Sequence, residues 1–287
     1  MTLRTEPPAG EVTEDSPAGV YVADGDTYVP TALARGPWGD FVSGQYVGGL
    51  LSTAIERRVA GAGLHPARVT IDLSGRAALE PVTVTTTVLR EGTRIALVDA
   101  EMTQGSRAVA HARAVFLRPS EQPPNDVWTT PVDMPPLHDI PTVPAAGATS
   151  HGAIYNADDP GAPGADLSTW ETGSQKFIWL TYTVPLVTGT ELTPLTRAVM
   201  VADSASAVVH YGTAGLHFIN ADYTVTLSRL PDGPSIGVAG LTHYSQAGIA
   251  TGSATLLDKH GPVGTTVTVG IANRGFHPGG RNGSAAG

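Results

Sequence analysis

The sequence predicts an α+β chain made of two fused copies of one unit, each an antiparallel sheet wrapped around a helix. Three observations predict it: a repeated glycine spacing, a helix followed by long strands in each half, and a proline-rich stretch between the halves. Gly92, Gly105 and Arg118 are spaced 13 and 13, and Gly248, Gly261 and Arg274 repeat that spacing. Upstream, Val69-Thr-Ile-Asp-Leu-Ser-Gly-Arg76 lines up with Asp222-Tyr-Thr-Val-Thr-Leu-Ser-Arg229. The offset is 153 there and 156 further on, so a three-residue indel in a turn is expected. Internal self-similarity of this kind is the mark of a duplicated unit.

In the first copy (20–118) Val47, Leu51, Ile55 and Val59 recur at helical spacing, which predicts a helix over 43–59 with Ser43 as its cap. Strands are expected near 67–74, 81–90, 93–103 and 107–117. In the last of them Ala110, Ala112, Ala114 and Phe116 alternate with His111, Arg113 and Val115, the period of a two-faced strand. In the second copy (175–275) a strand near 176–186 precedes a helix opened by Thr193 and Pro194 and running to about Val209. Strands near 217–229, 236–244, 248–258 and 264–273 complete it. Ten of the 23 prolines fall between Pro119 and Pro163, so 119–174 reads as a connector, with Trp128, Leu137, Ile140 and Tyr155 placed to pin it to the surface. The Gly-rich residues 276–287 read as a flexible tail.

Composition narrows the function. The net charge of −9 comes with Lys and Arg scattered singly, which argues against nucleic-acid partners and anionic membrane surfaces. There is no cysteine, so disulfides, thiolate metal sites and a cysteine nucleophile are excluded. No apolar run approaches the roughly 20 residues of a membrane helix, and Met1 to Asp15 lacks the pattern of a signal peptide. A cytoplasmic protein without membrane insertion is expected. The nine histidines show no paired metal-ligand spacing, and Gly-x-Ser-x-Gly, a P-loop and a complete dinucleotide loop are all missing. Neither a metal nor a cofactor is expected.

Specific strings resemble a known family. Gly36-Pro-Trp-Gly-Asp-Phe-Val-Ser-Gly-Gln-Tyr-Val-Gly-Gly-Leu-Leu51 looks like the Gly-Gly-Gln start of the first helix in acyl-CoA thioesterase II proteins, with Ser43 replacing the first glycine. Pro194 to Ser206, with Arg197 and Asp203, resembles the second helix; Asp222 to Arg229 resembles the family's aspartate-containing strand; Gly261-Pro-Val-Gly264 resembles the turn before the last strand. The likeness spans roughly 25–118 and 175–274 and implies a double hotdog, two fused helix-wrapped antiparallel sheets. It also implies hydrolysis of an acyl-CoA or other acyl thioester, with an aspartate, a threonine and a glutamine positioning the attacking water. Asp222 matches the aspartate; Thr242 and Ser245 are the candidates for the hydroxyl; Thr268 or Val269 stands where the family has its glutamine.

On the residues themselves, Asp222 shares a strand face with Thr224, Thr226 and Ser228, and a carboxylate beside an apolar channel suits a general base. Gly44, Gln45 and Tyr46 open the first helix, whose free N–H groups suit a developing oxyanion. Asp203 interrupts an apolar helix, where a charge needs a partner; a structural bond to Arg197 or a strand end is the favoured reading. Arg76 and Arg229 fall at matching positions, each suited to closing a strand end or meeting a phosphate. Two other readings keep the fold, a hydratase or dehydratase and an acyl-ligand binder without catalysis. Exposed strand edges favour a homodimer or higher homo-oligomer.

Overall fold

The computed structural model describes residues 2–4, 18–137, 148–164 and 167–276. Ile140, most of the expected tail, and nearly all of the polar N-terminus lie outside them. In the first half, α1 (Gly44–Arg58) is followed by β1 (His65–Asp72), β2 (Thr83–Glu91), β3 (Ile95–Gln104) and β4 (Arg107–Leu117). The second half contains β5 (Ser150–Asn156), β6 (Lys176–Tyr182), α2 (Pro194–Asp203) and α3 (Ala205–His210). It ends with β7 (Gly215–Leu227), β8 (Ser235–Gln246), β9 (Ile249–Asp258) and β10 (Gly261–Phe276).

The two halves share one sheet, in the order β2-β3-β4-β1-β7-β10-β9-β8-β6-β5, with short strands at either end. The join is the antiparallel pair β1 and β7, where Val69 faces Val225 and Ile71 faces Tyr223. All four side chains are buried, so the seam is apolar on its inner side. The inner face carries the helices. α1 and α2 run antiparallel across each other, and glycines let α1 approach both neighbours: a Cβ on Gly48 would lie 1.8 Å from Tyr223 Oη on β7, and one on Gly49 would lie 2.7 Å from Met200 Cγ on α2.

Five expectations need correction. The connector is not merely a connector. β5, within it, pairs with β6 along its whole length, and Trp179 and Tyr155 donate to the carbonyls of Pro135 and Pro136 at 2.8 and 3.1 Å. Trp128, expected to pin the segment, is 84% exposed. Ser43 occupies the cap position of α1 without a side-chain cap bond, its carbonyl taking the Tyr46 and Val47 amides instead. Thr193 does cap, accepting from the Thr196 amide.

The expected single helix 193–209 is broken at Ser204, where α2 ends and α3 begins. Finally, the offset of 153 between Val69–Arg76 and Asp222–Arg229 conflicts with the pleat. Val69 and Ile71 point inward, as do Tyr223, Val225 and Leu227, so equivalent residues must differ by an even number. Arg76 and Arg229 are therefore not equivalents: Arg229 clamps the buried Asp258 with both terminal nitrogens, while Arg76 stands beside a cavity.

Candidate active site

A cavity of about 560 Å³ opens where the N-terminus of α1 meets the α2–α3 break and the sheet seam. Its wall is mostly apolar: Trp38, Phe41, Val42 and Val47 on one side, Tyr211, Leu216 and Ile219 on the other. Asp203, Asn220, Gln45 and Arg76 supply its main polar groups. A mostly apolar cleft with a few convergent polar groups is the usual form of a small-molecule site.

Asp203 is the focus of that polar set. It is the last residue of α2, and its carboxylate accepts from Asn220 Nδ2 at 2.9 Å and from the Gln45 amide in the first turn of α1. Gly44 makes room for it, since a Cβ there would lie 3.0 Å from Oδ1. Two helix dipoles act on the group in opposite senses: the N-terminus of α1 favours the anion, and the C-terminus of α2 opposes it. Burial is the largest influence and pushes its pKa up to about 6, against the pull of the two hydrogen bonds.

Asn220 reaches Asp203 because of an irregularity in β7. Asn220 pairs with Gly270 and Asp222 with Val269, so Ala221 is an extra residue, a β-bulge. Beyond the bulge the pleat is reversed. Asn220 therefore points inward to the helices, while Asp222, two residues on, points outward beside the exposed Val269.

Residues 34–117 match the acyl-CoA thioesterase N-terminal domain and residues 131–272 match the acyl-CoA thioesterase C-terminal domain. The chain belongs to the acyl-CoA thioesterase family. No curated protein matches it. Among solved structures it is similar to an acyl-CoA thioesterase II, TesB2, from Mycobacterium marinum, with TM-score 0.60 and 15% identity over 90% of this chain and 94% of that one. A tesB protein from Mycobacterium avium subs paratuberculosis gives 0.59 and 15% over 86% and 92%. A hotdog-fold protein of unknown function from Alicyclobacillus acidocaldarius gives 0.61 and 13% over 88% and 95%. The fold is the double hotdog.

Within this thioesterase-family chain the expected site residues do not form one cluster. Asp222 is absent from the cavity wall; its carboxylate accepts from the Val269 amide at 2.8 Å, and partial burial, with Asp72 nearby, pushes its pKa up. Thr268 is buried and donates to the Asp222 main-chain carbonyl. Thr242 bonds Ser253, and Ser245 bonds His243 Nε2 at 3.1 Å. Asp222 is separated from β8 by three strand steps, about 14 Å at ~4.8 Å each. Of the helix trio, Gly44 and Gln45 line the cavity; Tyr46 is buried with its hydroxyl on Thr149.

Nothing in the sequence marks Asn220, and the structural role expected of Asp203 does not run through Arg197. The usable signal was Asp203 itself, a carboxylate in an apolar helix whose supposed partner Arg197 bonds the carbonyls of Gly233 and Leu192 instead. Among the described residues no group of three or more His, Asp or Glu side chains is arranged to hold a metal ion. No helix among them is long and apolar enough to cross a membrane.

Proposed function

We propose that the protein hydrolyses an acyl-CoA or related acyl thioester to the free acid and thiol, with Asp203 rather than Asp222 as the base that activates water. The observation that carries the reading is the Asp203 carboxylate, oriented by Asn220 and the Gln45 amide at the wall of an apolar cavity. A carboxylate with a pKa near 6 is ionised at neutral pH yet basic enough to take a proton from water as it attacks the thioester carbon. The tetrahedral oxyanion then collapses, the carbon–sulfur bond breaks, and the proton held by Asp203 passes to the departing thiolate. The Gln45 amide is committed to Asp203, which leaves the Gly44 amide, at the first position of α1, as the donor assigned to the carbonyl oxygen.

The family glutamine position falls on Thr268 or Val269, and neither lines the cavity, so the amide side chain that orients the base here is Asn220. A cytoplasmic location and a homo-oligomer remain part of this reading. The exposed Tyr244, Ile249 and Val267 in the sheet of the second half support self-association, which light scattering measures.

The test is a pair of isosteric variants assayed against a panel of acyl-CoA thioesters with detection of released thiol. Asp203→Asn is expected to lower kcat by about 10²- to 10⁴-fold while the fold is kept. Asp222→Asn is expected to leave turnover near wild type. The reverse pattern returns the role to Asp222. Ligand-induced thermal stabilisation without thiol release from wild type identifies a binder.

A further inference from the structure

We infer that Arg76 and Arg107 form an anion-binding edge on the cavity and hold a phosphate of the thiol carrier to which the acyl group is attached. The inference rests on the thioesterase reading above for the identity of the ligand, and on the following geometry for the site. Arg76 lines the cavity, and its guanidinium lies over the Phe41 ring at 5.2 Å, on the same wall as Trp38. Arg107, across on the β3–β4 turn, donates Nη2 to the Arg76 carbonyl at 2.8 Å. Its Nη1 packs against Gly75, where a Cβ would lie 3.0 Å away.

Both side chains are exposed, and among the described residues neither has a carboxylate within 4 Å. Three other arginines of this acidic chain are held by carboxylates, Arg113 by Asp99, Arg229 by Asp258 and Arg35 by Asp40, and are less open to an external anion. An incoming anion meets guanidinium groups for which no carboxylate competes. Planar guanidinium donors suit phosphate oxygens, and the stacked Phe41 keeps the Arg76 fork from collapsing onto the wall. Asp203 and Arg76 line the same cavity, which puts the carboxylate assigned to the thioester and an arginine assigned to the phosphate in one binding region.

The test uses the full chain carrying Arg76→Gln, Arg107→Gln or both. Binding of CoA, dephospho-CoA and phosphopantetheine is measured by calorimetry in the Asp203→Asn background. Turnover is measured in the Asp203 background with an acyl-CoA and with the same acyl group on N-acetylcysteamine, which carries no phosphate. The expected result is a loss of about tenfold or more in CoA affinity for each arginine removed, and a weaker salt dependence. The phosphate-free thioester is expected to be hydrolysed at unchanged kcat/KM. A loss confined to CoA assigns the 3′-phosphate, and a loss shared by all three ligands assigns the phosphate next to pantetheine. CoA binding that is absent in wild type or unchanged in the variants overturns the inference, as does an equal loss with the phosphate-free substrate. CoA affinity that depends on the arginines in a protein hydrolysing no thioester upholds the anion site and refutes the hydrolase instead.

Discussion

Replacing Gly48 with alanine probes the close approach of α1 to β7. The added Cβ would sit 1.8 Å from Tyr223 Oη and 2.9 Å from Cζ, inside any tolerable separation. Tyr223 is fully buried, so its ring has nowhere to swing, and α1 must move away from β7 and α2 by more than 1 Å. Overpacking of a dense core costs about 1–3 kcal/mol, set against a gain of about 1 kcal/mol from alanine's higher helix propensity. A contact this close belongs to the upper part of that cost, about 2–3 kcal/mol, so a net loss of about 1–2 kcal/mol is expected, read as a lower midpoint in equilibrium urea unfolding.

Tyr223→Phe supplies the control. Among the described residues the buried Tyr223 hydroxyl has no hydrogen-bond partner, so its removal alone is expected to be neutral or slightly stabilising. In that background Gly48→Ala meets only the ring edge, and its cost is expected to fall by about half. Equal or higher stability for Gly48→Ala in the wild-type background refutes the close approach. The displacement of α1 also carries the Gln45 amide away from Asp203, so thiol release is expected to fall along with stability.

The remaining expectations concern protons. Asp203 must be ionised to act as base, so kcat/KM is expected to rise with pH and level off above a midpoint near 6; a profile flat from pH 5 to 8 removes Asp203 from that role. His210 is buried against His243, with Nδ1 to Nδ1 at 2.8 Å, and burial lowers its pKa to about 4. Its folded value lies below the unfolded value of about 6.5, so folding favours the neutral ring. The stability this confers is complete above pH ~6.5 and declines as pH falls toward 4. A drop of about 1–2 kcal/mol over that window is expected in wild type and a smaller one in His210→Gln, measured by thermal unfolding at each pH; matching curves for the two proteins dispose of the idea.

The sequence made the strands legible because each has one face buried, and alternations such as Ala110 to Phe116 record that directly. The apolar stripe of α1 was legible for the same reason. What it did not expose was anything depending on how distant segments meet. β5 carries Gly152 and a short apolar run, Ala153 to Tyr155, inside a proline-rich stretch, and only its pairing with β6 makes it a strand. The break at Ser204 interrupts an otherwise continuous apolar pattern from Leu195 to Val209, so nothing local announces it. The candidate site joins residues 44 and 45 to 203 and 220, and Asp203 gains its meaning only from the Asn220 amide and the α1 terminus.

The pleat reversal at Ala221 makes the site a matter of counting. With a regular strand, Asn220 and Asp222 would share a face, and one of two outcomes would follow: both outside among the threonines, or both buried against α2. The bulge separates a pair of similar polar residues into one that orients a base and one that decorates a surface. Removing the single residue Ala221 is therefore expected to abolish thiol release as thoroughly as Asp203→Asn while far-ultraviolet circular dichroism stays close to wild type. Full activity in that deletion would show that Asn220 is dispensable. The methyl group of Ala221 plays no part in this; the length of chain between two hydrogen-bonded pairs decides whether the cavity holds an oriented carboxylate.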